Sequence, residues 1–169
     1  MSGEETSPDH SCLQVWQKLG GVSKLAFAAR SLAGTTGWNG TGRGQVAVSR
    51  ENGHTLLFAE TGKWHPGVDS GKAAPRNPAL DFSNIYRWTL HDPPRGISLF
   101  HLRYGRQNPV HLAELVGDPE NRCRMKSATP HLCNLDQYTL DLYADDECLT
   151  LLWKIQGPAK NEQLTCRYS

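Results

Sequence analysis

The sequence predicts an all-β fold: a single antiparallel up-and-down barrel with a short N-terminal helix. Three observations carry this prediction. From Gly20 onward apolar residues recur with a period of two, turn-forming residues interrupt them every ten or so positions, and no long stretch has helical spacing.

The helix comes first. Residues 1–10, MSGEETSPDH, are polar and acidic and read as a disordered tail. Cys12, Val15, Trp16 and Leu19 then fall at i, i+3, i+4 and i+7, on one helical face, before Gly20-Gly21 ends the element. The remaining chain, residues 11–169, is read as one domain, because its length suffices for one well-buried core and not for two.

Strands are expected over residues 24–31, 44–50, 54–61, 82–90, 96–104, 110–116, 136–143, 147–156 and 162–168, with 122–128 a possible tenth. Two joints carry hairpin chemistry: Asn52-Gly53, whose residues accept positive φ, and Ala144-Asp145-Asp146. Strands joined so tightly pair antiparallel. An open sheet of this many strands would leave two free edges, and closure removes both. The expected strand content is above about 40 % of residues, well over the ordinary base rate.

Two segments resist the alternation. Residues 65–80 hold three prolines and two glycines and read as a long loop: a lid, a binding loop or a disordered insertion. The run Gly37-Trp38-Asn39-Gly40-Thr41-Gly42-Arg43-Gly44 looks like a phosphate cradle, but a strand follows it and not a helix N-terminus. Its glycines are read as places where a strand bends sharply or lies close to a neighbour.

Composition narrows the function. Eighteen basic residues against seventeen acidic ones give no cationic field for a phosphate backbone, so nucleic acid is not an expected partner. No secretory signal pattern opens the chain and no apolar run reaches the ~18 residues of a membrane span, so a soluble, cytoplasmic protein is expected. Five cysteines without a C-x-x-C pair argue for reduced thiols packed as small hydrophobes. His131-x-Cys133 is half of a metal site with no second pair, so neither a metal nor a cofactor is assigned.

The densest polar cluster follows Pro130. Asp136 and Tyr138 are two apart and share a strand face, with Leu140 and Leu142 continuing it as an apolar wall, Thr139 and Asp141 outside, and His131 near the rim. If that face lines a lumen, the trio can act as acid, base or ligand clamp. Otherwise Tyr138 is an ordinary strand former, Asp136 closes a turn and His131 bonds the backbone. A buried Asp136 needs a partner, with His131, Arg167 and Arg103 the candidates. Trp88 adds an aromatic group, and Lys160, in the Gly157-Pro158-Ala159-Lys160-Asn161 loop, either folds over a barrel mouth or is solvated.

These residues also carry a resemblance. His131, Cys133, Asp136 and Tyr138, then Trp153, Gly157, Pro158, Lys160 and Asn161, then Arg167 and Tyr168, resemble the C-terminal H-x-C-x-x-D-x-Y, tryptophan-strand, G-P-x-K-D and basic-aromatic pattern of a mainly bacterial and fungal family of small lipocalin-like (calycin) proteins of unknown function. Upstream, Gly37 with Gly40, Glu60-Thr61-Gly62, Tyr86-x-Trp88 and His111 sit where that family has a G-x-x-G bend, an E-x-G turn, a Y-x-W strand and a histidine. Asn161, Glu162 and residues 65–80 depart from it. The resemblance implies a calycin-type barrel with the helix closing one end, and implies no activity. A weaker likeness, in Gly37-Trp38-Asn39-Gly40-Thr41-Gly42, is to haem-binding ten-stranded barrels, which would require His131 or His111 as an axial ligand.

The leading functional expectation is a barrel that binds a small hydrophobic or heterocyclic molecule, oriented by His131, Asp136, Tyr138, Trp88 and Arg167, with Arg103, His111 and Lys160 as further contacts. Its rivals are a barrel enzyme (an isomerase, cyclase or lyase) using His131 with Asp136 or Tyr138 for proton transfer, and a solid module with a filled core. Fold alone does not separate these, and nothing in the sequence specifies an oligomeric state.

Overall fold

The computed structural model describes residues 8–32, 39–67, 78–91 and 96–169. It consists of a helix α1 (Pro8–Leu19) followed by eleven strands. These are β1 (Lys24–Ser31), β2 (Gly40–Asn52), β3 (Thr55–Pro66), β4 (Leu80–Leu90), β5 (Ile97–His101), β6 (Val110–Asp118), β7 (Asn121–Ser127), β8 (His131–Cys133), β9 (Asp136–Ala144), β10 (Leu149–Gln156) and β11 (Asn161–Tyr168). Strands take up about two thirds of the described residues.

Ten strands close into an antiparallel barrel. β1 to β7 pair in chain order, β7 pairs with β9, and β9, β10 and β11 follow until β11 pairs with β1. Closure is long: Leu25 to Ser31 of β1 are in register with Tyr168 to Glu162 of β11. β8 hangs on the outer half of β9 as a three-residue hairpin arm. Asn134 makes its tight turn possible, with φ 56°, a region asparagine tolerates better than most residues. That arm is absent from the alternation, because three residues are too few to establish a period.

Other boundaries shift for identifiable reasons. The helix starts at Pro8, so residues 8–10 belong to it and not to the tail; proline is preorganised for a first helical position. Residues 1–7 lie outside the described residues. His65 and Pro66 complete β3, and Leu80 opens β4, so the long connection is shorter than expected; residues 68–77 of it are outside the described residues, as are Gly37 and Trp38 of the glycine run. β5 ends at His101 because the chain turns directly after it, with the Gly105 N–H donating to the Leu102 carbonyl and Gly105 at φ 86°.

Side chains fill only one half of the barrel. α1 packs Cys12, Val15, Trp16 and Leu19 into a cluster with Met125, Leu140, Leu142 and Leu149, and Lys18 Nζ donates to the backbone oxygen of Asp145 in the β9–β10 turn. The helix thus plugs the end that carries this turn. Above it, Leu56, Phe58, Trp88, Ile97, Leu99, Leu115 and Leu151 complete a dry layer. None of the five cysteines is in a disulfide; Cys12, Cys148 and Cys166 are buried as expected, whereas Cys123 of β7 and Cys133 of β8 are exposed. No helix among the described residues is long and apolar enough to cross a membrane.

Candidate functional site

The upper half of the barrel is hollow, and a row of glycines sets its shape. In β2, Gly40, Gly42 and Gly44 occupy successive positions of the inward face, so the strand presents bare backbone there. Phe27 of β1 and Trp64 of β3, both in register with Gly42, lean across it and stack at 5.4 Å and 4°. A Cβ on Gly42 would lie 2.2 Å from the Phe27 ring, and one on Gly62 2.2 Å from the Arg43 carbonyl oxygen. Phe82 of β4 meets Phe27 edge-on at 5.2 Å. Close approach is therefore what these glycines permit, one of the two roles expected of them.

Below these rings lies a cavity of about 610 Å³. Its walls are mainly aromatic and aliphatic, with Phe27, Trp64, Phe82, Trp153, Ile155 and Leu164 prominent, and its floor is polar. Glu60 of β3 points inward there, only 3 % exposed. Tyr168 Oη donates a hydrogen bond of 2.6 Å to Glu60 Oε1, and the Asn84 side chain adds a second bond. Tyr86 and Cys166 line the same region.

Burial governs the electrostatics of this floor. It holds the Glu60 carboxyl above the usual glutamate range, while the bonds from Tyr168 and Asn84 pull the other way. Burial and the nearby Glu60 push the Cys166 thiol up to about 12 and raise the Tyr86 hydroxyl as well. Tyr168 moves in the same direction, chiefly from burial. Tyr86, Cys166 and Tyr168 therefore stay protonated at neutral pH, and Glu60 is the group on the floor able to change charge or to accept a strong hydrogen bond.

Of the residues singled out in the sequence, Trp88 and Tyr138 line the cavity. Leu140 and Leu142 are fully buried on the Tyr138 face of β9, while Thr139 and Asp141 alternate away from it. Asp136 sits at the rim, its partner Lys160 at 3.0 Å and not a histidine or arginine. His131 stands between His111 and Tyr138, with ring centroids 6.3 and 6.1 Å away. Neither His111 nor His131 lines the cavity, so the residues do not fit an axial haem ligand. Arg103 is exposed and lies over the Tyr104 ring. Arg167 is on the outer face, in a surface hollow with Lys24 and Arg43, where its guanidinium donates to Cys148 Sγ.

Glu60 itself is absent from the candidates drawn from the sequence, although a signal existed. It continues the inward series Leu56, Phe58, Glu60, an acid in step with an apolar face. A second polar cluster, on the outer wall, is less apt for chemistry. Ser98 Oγ bonds both His91 Nε2 and Glu114, but the same His91 nitrogen also approaches Glu114 at 3.2 Å, so the imidazole does not link serine to carboxylate as a nucleophile's base must. Ser98 is also only 3 % exposed. No group of three or more histidine, cysteine, aspartate or glutamate side chains among the described residues could hold a metal ion.

No curated protein and no solved structure matches the chain. A family model does match, over residues 26–169, the whole barrel from β1 to the C-terminus. By that match the chain belongs to DUF6314, a family of unknown function.

Proposed function

We propose that the protein binds a small, largely apolar molecule inside the barrel. The observation that carries this reading is the cavity of about 610 Å³, with aromatic and aliphatic walls and a small polar cluster centred on Glu60 at its floor. Ligand sites typically have that volume and that division of labour, with apolar surface for affinity and few polar groups for orientation. A filled structural module would place side chains where this space lies. Tyr138 and Trp88 belong to the proposed contacts, joined by Glu60, Asn84 and Tyr168; His131, His111, Asp136 and Lys160 are proposed for the rim.

Native mass spectrometry of the freshly purified protein tests the reading, and a bound mass released on denaturation is the expected result. A bare polypeptide, together with tryptophan emission that does not respond to a neutral apolar fluorophore, would sink it. Catalysis is the second reading, favoured by the buried carboxyl of Glu60, which burial shifts upward in the direction a general acid or base working near neutrality requires. On that reading proton transfer is centred on Glu60 with Tyr168 beside it, rather than on His131 and Asp136, which do not line the cavity.

A further inference from the structure

We propose, on the ligand-binding reading above, that the occupant carries a basic nitrogen, bound as a cation against the Glu60 carboxylate with its apolar body among the aromatic rings. The argument begins with charge. Among the described residues lining the cavity, the carboxyl groups are those of Glu60 and Asp81, and no lysine, arginine or histidine is present. Asp81 is exposed and held by Lys63 at 2.5 Å. The cation nearest the mouth on β9's side, Lys160, is likewise committed to Asp136. Glu60 alone is a buried carboxyl whose partners, Tyr168 and Asn84, are neutral, so no cation of the protein offsets its ionised form.

A buried carboxylate of this kind favours a cation and repels an anion. A fatty acid or a phosphate ester would place a second negative charge beside Glu60 with no positive side chain to compensate. A hydrocarbon would leave the cost of burying Glu60 in place. A protonated amine or N-heterocycle offsets that cost, because a carboxylate has about four lone-pair sites and the two hydrogen bonds here use only two of them. The walls agree with this polarity: Phe27, Trp64, Phe82 and Trp153 present π-systems whose faces attract organic cations.

Three probes sharing one naphthalene body separate the possibilities: 1-naphthylmethylamine, 1-naphthylmethanol and 1-naphthylacetate, titrated calorimetrically into the full chain. The amine is expected to bind about tenfold or more tighter than the alcohol, with the carboxylate weakest, since a charge-assisted hydrogen bond exceeds a neutral one by roughly that factor. Glu60→Gln should lower amine affinity to the level of the alcohol.

A second arm is acidification. As pH falls through the raised value of Glu60 toward the ordinary glutamate value of 4.5, Glu60 takes up its proton, so amine affinity should fall while alcohol affinity holds. The groups facing Glu60 are Tyr86 and Asn84 on β4, Cys166 and Tyr168 on β11, and Val46 on β2, none of which changes charge in that range; His101 of β5, stacked on Tyr86 at 4.8 Å, does gain a proton on acidification, and in His101→Gln the fall in amine affinity should persist. Equal affinities, a preference for the carboxylate, or an amine preference that survives acidification would overturn the inference and leave the ligand-binding reading standing. Failure of all three probes to bind would overturn both.

Discussion

Tyr168→Phe isolates the interaction on which the cavity floor depends. The substitution deletes one hydroxyl from a ring that is 4 % exposed and leaves the ring's packing against Phe58, with centroids 5.8 Å apart, in place. What is lost is the 2.6 Å bond to Glu60. Hydrogen bonds to charged groups contribute about 1.5–3 kcal/mol, so a loss of about 2 kcal/mol is expected where Glu60 is ionised. For a chain of this size that corresponds to a fall in Tm of about 4–8 °C. Where Glu60 is protonated the bond is between neutral groups, and the loss shrinks toward about 1 kcal/mol. Urea unfolding followed by tryptophan emission, at a pH well above and a pH below the glutamate range, measures both values. A double-mutant cycle with Glu60→Gln should give a coupling of about 1 kcal/mol or more at the higher pH. A loss that is the same at both pH values, or a coupling near zero, would refute the assignment of Tyr168 as the partner of the Glu60 charge.

Further predictions follow from the same geometry. Because burial raises the Glu60 pKa above its unfolded value of 4.5, the folded state holds the extra proton, and stability falls as pH rises from that value through the raised one. Glu60→Gln removes this slope, so the variant should gain on the wild type as pH rises from 4.5 to 8; a constant difference across that range would contradict the buried carboxyl. Gly42→Ala should cost about 1–3 kcal/mol, because its Cβ meets the Phe27 ring and must displace it from Trp64. Retained near-ultraviolet circular dichroism and an unchanged urea midpoint would speak against that stack. Asp136→Ala should leave the urea midpoint near the wild-type value, since Lys160 is about half exposed and water solvates it once the partner is gone; a large drop would mean the pair is an integral part of the fold.

Strand identity was legible in the sequence, since alternation is a local property: each of the ten barrel strands overlaps a stretch expected from period two, and β1 matches its expected range end to end. The site was legible only in part. Trp88 and Tyr138 could be placed on strands, but whether a strand face looks inward depends on which neighbours cover it. Asp136 illustrates the difficulty: it shares a face with Tyr138, yet sits one pleat nearer the rim, where Lys160 reaches it before any buried arginine could.

What the sequence determined by itself is the hairpins at Asn52-Gly53 and Ala144-Asp145-Asp146, the amphipathic helix and a glycine run that lets a strand lie close to a neighbour, because each depends on residues within a few positions of one another. Tertiary structure decided the function-bearing contacts. Tyr168 and Glu60 are 108 positions apart and meet only because β11 closes onto β1. An acid on an apolar strand face is locally no more than an interruption of the pattern. Closure of the barrel turns it into a buried carboxyl with a neutral donor beside it and an aromatic chamber above, since only then is water removed from one side and the cavity left on the other.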